Sequence, residues 1–165
     1  MRKSVAVVVG LLLHICVLGV SSGVEAGQSK SQAELRKPLV GTWRLVSIEG
    51  GSNQANRGPK PTGLIIYDAQ GYMAAQIMPD RPRPTWTGMP TPEQALEAMR
   101  GYTAYFGTYT IDEKAGTVTH HRQGMLDGGV VDFVRKFKFA PGDRIILTPV
   151  GGAGPETHLT WERIK

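Results

Sequence analysis

Cysteine is nearly absent from this 165-residue chain: Cys16 stands alone. One thiol cannot build a disulfide framework, and this one sits inside an apolar run that reads as a removable leader. The mature chain is therefore expected to hold no thiol nucleophile and no thiolate metal ligand. Histidine is scarce too, at positions 14, 120, 121 and 158. His120 and His121 are adjacent, so on a strand they point to opposite faces and cannot chelate one ion together. No metal site is expected. Neither a glycine-rich phosphate loop nor a Gly-x-Ser-x-Gly elbow occurs, and no cofactor is expected. The formal charge of +5 is mild, and the basic residues are scattered singly among proline, glycine and apolar residues. The basic stripe or aromatic-basic module of a nucleic-acid binder is missing.

Long apolar runs are missing as well. Val5 to Val20 is apolar apart from His14, but it is shorter than the roughly 20 residues of a membrane span and no stop-transfer charges follow. Arg2 and Lys3 precede it, and Val24-Glu25-Ala26 supplies small residues ahead of Gly27. That is the pattern of a secretory signal peptide over residues 1–26, with cleavage expected after Ala26 and a secreted or periplasmic product. Leu13-His14-Ile15 lacks the small residues that a lipid-attachment cysteine at position 16 requires. Residues 27–37 are polar and read as a flexible lead-in, and 38–165 as one domain with one core.

That domain is a succession of short β-rich runs, at 40–49, 62–68, 71–78, 102–112, 117–125, 130–139, 144–150 and 157–164. Turn residues at 68–71, 113–116 and 141–143 join them, which predicts an antiparallel meander. Eight strands is about the number at which a closed barrel holds side chains or one small ligand, and closure removes exposed sheet edges. Leu39-Val40-Gly41-Thr42-Trp43-Arg44-Leu45 opens the first run and Leu159-Thr160-Trp161-Glu162-Arg163 closes the last. In a closed barrel these become neighbours, and an arginine can lie across an indole face. One segment interrupts the meander. Prolines at 79, 82, 84, 90 and 92 forbid a sheet strand there, and Thr91-Pro92-Glu93-Gln94 starts a helix. Ala95, Leu96, Ala98 and Met99 make that helix amphipathic as far as Gly101, between the third and fourth strands, lying over a barrel mouth as a lid or a packing plug.

Further segments fall into an ordered set: Gly63-Leu64-Ile65-Ile66-Tyr67-Asp68 with Gly71-Tyr72-Met73, Tyr102 to Tyr109, Gly116 to His121, Arg135-Lys136-Phe137 and Gly142 to Thr148. Together with the two ends, this set resembles the lipocalin-like domain family of small bacterial and fungal calycin-type barrels, over about residues 38 to 165. The resemblance implies an all-β fold: an eight-stranded antiparallel up-and-down barrel with an inner cavity and the short helix between strands three and four. It also implies that Arg163 packs across Trp43 at the closed end with Arg44 outside, Trp161 filling the core. Similar barrels bind hydrophobic small molecules or occasionally guide cyclisation and isomerisation. Asp127-Gly128-Gly129 departs from the family's aromatic, proline-containing loop, and Gly151 to Pro155 makes a second plain connection.

Alternation across strands sorts the polar residues. A four-residue turn at 113–116 sets Asp112 opposite Thr117, Tyr109 opposite His120, Gly107 opposite Arg122 and Tyr105 opposite Gly124. Tyr105, Tyr109, His120 and Arg122 then point inward. On the next run Phe133, Phe137 and Phe139 share a face with Val131 and Arg135, so Arg135 is an inward charge that needs a partner or an anionic ligand. The candidate ligand residues are therefore Tyr105, Tyr109, His120, Arg122 and Arg135, with Gln76 and an adaptable rim of Met73, Met78, Met89 and Met99. They suit a small hydrophobic or amphipathic partner with a carboxylate head. Two alternatives stand beside this. One is a cofactor-independent isomerase or cyclase with His120 as acid/base, Tyr109 assisting and Arg135 as oxyanion partner. The other is a filled barrel acting as an envelope interaction module.

Overall fold

The computed structural model describes residues 30–52, 54–129, 131–151 and 154–165. The predicted leader, its cleavage point and Cys16 lie outside the described residues. Eight strands run in order: β1 (Gly41–Gly50), β2 (Thr62–Tyr67), β3 (Tyr72–Met78), β4 (Thr103–Asp112), β5 (Thr117–Met125), β6 (Phe133–Ala140), β7 (Arg144–Pro149) and β8 (Thr157–Arg163). Each pairs antiparallel with the next, and β8 pairs with β1, so the sheet is a closed up-and-down barrel. The sequence expectation holds to within one residue at the strand ends, with one larger shift: β6 starts at Phe133 rather than at 130, and Val131 is exposed ahead of it.

Among the described residues, three short helices decorate the barrel: α1 (Gln32–Arg36), α2 (Gln54–Arg57) and α3 (Pro92–Met99). α3 begins as its sequence requires, with Thr91 and Gln94 forming a capping box and Pro92 in the first turn. α1 corrects the flexible lead-in. Ser31 and Glu34 make a second capping box, and Gln32 exchanges two hydrogen bonds with the backbone of Ile111, donating to its oxygen at 2.7 Å and accepting from its nitrogen at 2.9 Å. Leu35 packs on the core and Arg36 donates to the carbonyls of Gln70 and Tyr109. The polar composition of 30–37 reflects a helix that serves backbone groups on the barrel floor.

The end seal is as expected. The Arg163 guanidinium carbon lies 4.0 Å from the Trp43 ring centroid. Its nitrogens donate to the carbonyls of Val40 and Pro38 and to Asp143 Oδ1, while Arg44 stays outside on Glu162. Gly41 makes this possible: its φ is +143°, and a Cβ there would collide with the Arg163 guanidinium. The core at this end is built from Leu39 and from the inward faces of the strands, including Trp43, Tyr67, Met73, Tyr109 and Ile145.

The β4–β5 pairing matches the expected register from Asp112–Thr117 up to Gly107–Arg122, and then slips. A bulge lets Gly124 face Phe106 and Met125 face Tyr105. Gly107 sits at this slip so close to β5 that a Cβ would drive into the His121 carbonyl oxygen. Beyond the bulge the alternation inverts, and Met125 turns in towards the core.

Candidate ligand cavity

The floor half of the barrel is packed and the other half is hollow. A cavity of about 790 Å³ occupies it, within the range of roughly 300–1,000 Å³ that small-molecule sites occupy. Its apolar wall is made by inward residues of the strands, among them Ile65, Ile77, Met125, Leu147 and Leu159. Its mouth is bordered by the connections at one barrel end: Gly51 and Ser52 after β1, Arg57 of α2, Leu96 and Met99 of α3, Leu126 and Asp127 after β5, and Val150 after β7. The helix between the third and fourth strands thus lies at the mouth, as expected. Arg81 pairs with Glu97, and Arg83 donates to the Ala98 carbonyl at 2.6 Å, tying the proline-rich segment to that helix.

Four arginines line this cavity: Arg100 is paired with Glu97 at 3.0 Å, and the other three are Arg57, Arg122 and Arg135. Arg122 is 4% exposed. Its Nε donates to the Val131 carbonyl at 2.5 Å, and its guanidinium lies 3.3 Å from the Phe133 ring centroid. Arg135 Nη2 donates to Tyr105 Oη at 3.2 Å, and Arg57 Nη2 donates to Thr103 Oγ1 at 3.2 Å. Among the described residues, no carboxylate forms an ion pair with any of the three. The acids bordering the cavity, Asp127 and Asp132, are exposed at its edge, and Asp132 is engaged with His121 Nδ1 at 2.9 Å. Burial lowers the pKa of Arg57, with Arg135 nearby adding to the effect. Burial also lowers that of Arg122, despite the raising influence of Tyr105 and Asp127. Both guanidiniums thus carry a desolvation cost. Among the described residues, four buried side-chain nitrogens meet no acceptor: Arg57 Nη1, Arg122 Nη1 and Trp161 Nε1 on residues that line the cavity, and Arg36 Nε, which does not.

Of the residues singled out from sequence, Tyr105, Arg122 and Arg135 line the cavity together. His120 is buried one layer behind them. Tyr67 Oη lies 2.7 Å from its Nε2 and Tyr105 Oη lies 2.9 Å from its Nδ1. Burial, then Arg135 and Arg122, hold its pKa well below the ordinary imidazole range, so the ring is neutral. Tyr109 belongs to the floor: its hydroxyl donates to the Asp68 carbonyl at 2.7 Å, and burial raises its pKa to about 12. The expectation that it meets a ligand is therefore corrected; it points inward, but too deep. Gln76 is corrected for a different reason. Met73, Ala75 and Ile77 are the buried face of β3, so Gln76 faces outward and is exposed. The methionine rim reduces to Met99: Met73 is in the core, Met78 and Met89 are exposed, and none of the three lines the cavity. The acid/base constellation of His120, Tyr109 and Arg135 is not assembled at the cavity, because only Arg135 lines it.

Two lining residues escaped this role in the sequence reading. Trp161, expected only to fill the core, is 2% exposed, lines the cavity and holds a buried indole N–H without an acceptor among the described residues. Arg57 lies in a glycine- and proline-rich connection with no periodic signal; only the up-and-down topology puts that connection at the same end as 79–102.

With the barrel and cavity in place, comparison with known proteins fixes the family. The model of the lipocalin-like domain matches residues 40–164. The chain belongs to the lipocalin-like domain family. A search of curated proteins finds no match. Among solved structures, this lipocalin-like domain is similar to wild-type fluorescent protein UnaG at 13% identity and a TM-score of 0.39, covering 78% of this chain and 99% of that one. A point variant of the same protein gives 14% identity and a TM-score of 0.38, covering 78% and 98%. Among the described residues, no helix of the lipocalin-like domain is long and apolar enough to cross a membrane.

Proposed function

We propose that this lipocalin-like protein binds a small amphipathic molecule with a carboxylate or similar oxyanion head, and that it does so after export to the periplasm or cell exterior. The observation that carries the reading is the set of arginines lining the cavity, Arg57, Arg122 and Arg135, none in an ion pair among the described residues, with one nitrogen each of Arg57 and Arg122 buried and without an acceptor. A buried donor left open costs about 1–3 kcal/mol, and more when it is charged. An anion entering the cavity offsets that cost at several donors at once, while the Ile, Leu and Met wall takes the apolar body. The hollow upper half supports this reading over a solidly filled barrel. Export is supported by the basic, apolar and small-residue succession of residues 1–26.

The test is native mass spectrometry of protein purified from the periplasm, followed by titration with cis-parinaric acid and its methyl ester. A bound acidic lipid-like molecule is expected on a chain whose mass begins at Gly27. The acid is expected to bind at least about tenfold more tightly than the ester, since a charge-assisted hydrogen bond is worth about 1.5–3 kcal/mol. Replacing Arg122 by Met is expected to reduce the acid towards the ester's affinity. Equal binding of acid and ester by the parent protein would refute the anionic-head reading, and a retained leader would refute export.

A further inference from the structure

The hydrogen-bond chain behind the cavity has a direction. Tyr67 is buried, and among the described residues its hydroxyl meets only His120 Nε2, at 2.7 Å. His120 Nδ1 faces Tyr105 Oη at 2.9 Å, and Arg135 Nη2 donates to that same oxygen at 3.2 Å. A neutral imidazole has one N–H and one lone pair, so two proton arrangements exist. In the first, Tyr105 donates to Nδ1 and Nε2–H donates to Tyr67. The Tyr67 hydrogen is then left without an acceptor in the packed floor, beside the edge-on ring of Tyr109 with centroids 4.8 Å apart. In the second, Tyr67 donates to Nε2 and Nδ1–H donates to Tyr105, and the one hydrogen left over is that of Tyr105, which lines the cavity where Tyr67 does not. An unsatisfied buried hydroxyl weights the first arrangement down by about tenfold to a hundredfold. Burial holds the Tyr67 pKa well above the ordinary phenol range, so its hydrogen stays in place.

The second arrangement leaves the Tyr105 oxygen accepting from both His120 and Arg135, with its own hydrogen unspent on the cavity side. We propose that Tyr67 and His120 are positioning residues that lock Tyr105 as a hydrogen-bond donor, so that Tyr105 and Arg135 form a donor-only cradle for a carboxylate head. This rests on the cavity being the ligand site and names the head group it selects. The open N–H groups of Arg122 and Trp161 are donors as well. A carboxylate, which only accepts, can satisfy such a set. An ammonium head brings more donors, and an alcohol brings a hydrogen of its own that the set cannot accept. The two accepted bonds also polarise the Tyr105 O–H, which strengthens the bond it donates.

The tautomer is read without any ligand, by long-range proton–nitrogen NMR correlation of the His120 ring in the parent protein. Hydrogen on Nδ1 and a bare Nε2 are expected; hydrogen on Nε2 overturns the proposal. The functional arm uses cis-parinaric acid and its methyl ester with Tyr105→Phe, Tyr67→Phe and the double variant. Tyr105→Phe is expected to weaken acid binding by about tenfold to a hundredfold. Tyr67→Phe, whose side chain does not line the cavity, is expected to weaken it by about threefold to tenfold by freeing the tautomer. The ester, whose carbonyl also accepts a hydrogen bond, should lose less than the acid in each variant, and the double variant should be no weaker than Tyr105→Phe alone, since Tyr67 acts through Tyr105. A parent that prefers the acid while Tyr67→Phe keeps that preference whole overturns the lock and leaves the ligand reading standing. A parent with no acid preference overturns the ligand reading itself.

Discussion

Replacing Arg163 by Ala tests whether the barrel is sealed by an arginine on an indole or by an ion pair beside it. Arg163 makes three kinds of contact: the Trp43 ring at 4.0 Å, the carbonyls of Val40 and Pro38, and Asp143 Oδ1 at 3.1 Å. The stacked cation is worth about 1–2 kcal/mol when partly desolvated. Two charged hydrogen bonds to backbone oxygens are worth about 1.5–3 kcal/mol each before water replaces them. The Arg163 side chain is 25% exposed, so water recovers part of this, and a loss of about 3–4 kcal/mol is expected. The Asp143 pair, half open to solvent, is worth less than about 1 kcal/mol. Arg163→Ala should therefore cost about 3–4 kcal/mol in urea unfolding at unchanged slope, with Tm falling by roughly 10–15 °C. Arg163→Lys should cost about half as much, because one ammonium cannot span two carbonyls while stacking on the ring. Asp143→Ala should cost under about 1 kcal/mol. A loss below about 1 kcal/mol for Arg163→Ala, or equal losses for Arg163→Ala and Asp143→Ala, would refute the reasoning.

Two further outcomes follow from the core. His120 is buried neutral with its pKa well below the ordinary value, so the unfolded chain takes up its proton first as pH falls. The stability this burial gives is fully present above about pH 6.5 and is lost as pH falls below it, by up to about 1.4 kcal/mol per pH unit. Urea midpoints between pH 7 and 5 should show this slope in the parent and not in His120→Gln; parallel curves would count against a neutral buried ring. At the bulge, Gly107→Ala forces β4 and β5 apart at the His121 carbonyl, and a cost above about 3 kcal/mol is expected from overpacking. Gly116→Ala, where a Cβ meets open space at a φ of +65°, should cost about 1 kcal/mol from the left-handed backbone alone. Equal costs in thermal melts would remove the packing argument for Gly107.

The barrel was legible because its signals are local. Alternation, turn residues and the proline-interrupted helix each act over a few residues, and the Gly-x-Trp and Trp-x-Arg ends announce their own pairing. The inward placement of Tyr105, Arg122 and Arg135 followed from one turn length at 113–116. What was not legible depends on depth and on irregularity. Tyr109 and Tyr105 share an inward face, but alternation says nothing about which lies at the floor and which beside the cavity. His120 likewise points inward yet is shielded by Tyr105. Gln76 was misplaced because β3 carries alanine and methionine on both faces, so its burial follows from β2 and β4 and not from its own pattern. Met125 is inward only because the bulge between Phe106 and Gly107 inverts the alternation beyond it. α1 was hidden by its polarity, since its buried bonds run through Gln32 to the backbone of Ile111 and not through an apolar stripe.

The two tryptophans of the paired end strands separate structure from function more sharply than the sequence does. Trp43 and Trp161 are both buried, at 0% and 2% exposure, on adjacent strands. Trp43 lies at the floor, and its indole N–H donates to the Leu39 carbonyl at 2.9 Å. Trp161 lies at the cavity, and its N–H has no acceptor. A tryptophan serving only to pack gains nothing from an open buried donor and loses about 1–3 kcal/mol by it. Phenylalanine would fill most of the same space without that loss. Arg57 and Arg122, which line the same cavity, also hold unpartnered nitrogens, and a shared acceptor is the proposed account of these three; a fourth, Arg36 Nε, does not line the cavity. The seal at Trp43 and Arg163 therefore sets the architecture, while under the proposed reading Arg122 and its neighbours at the cavity select the head group.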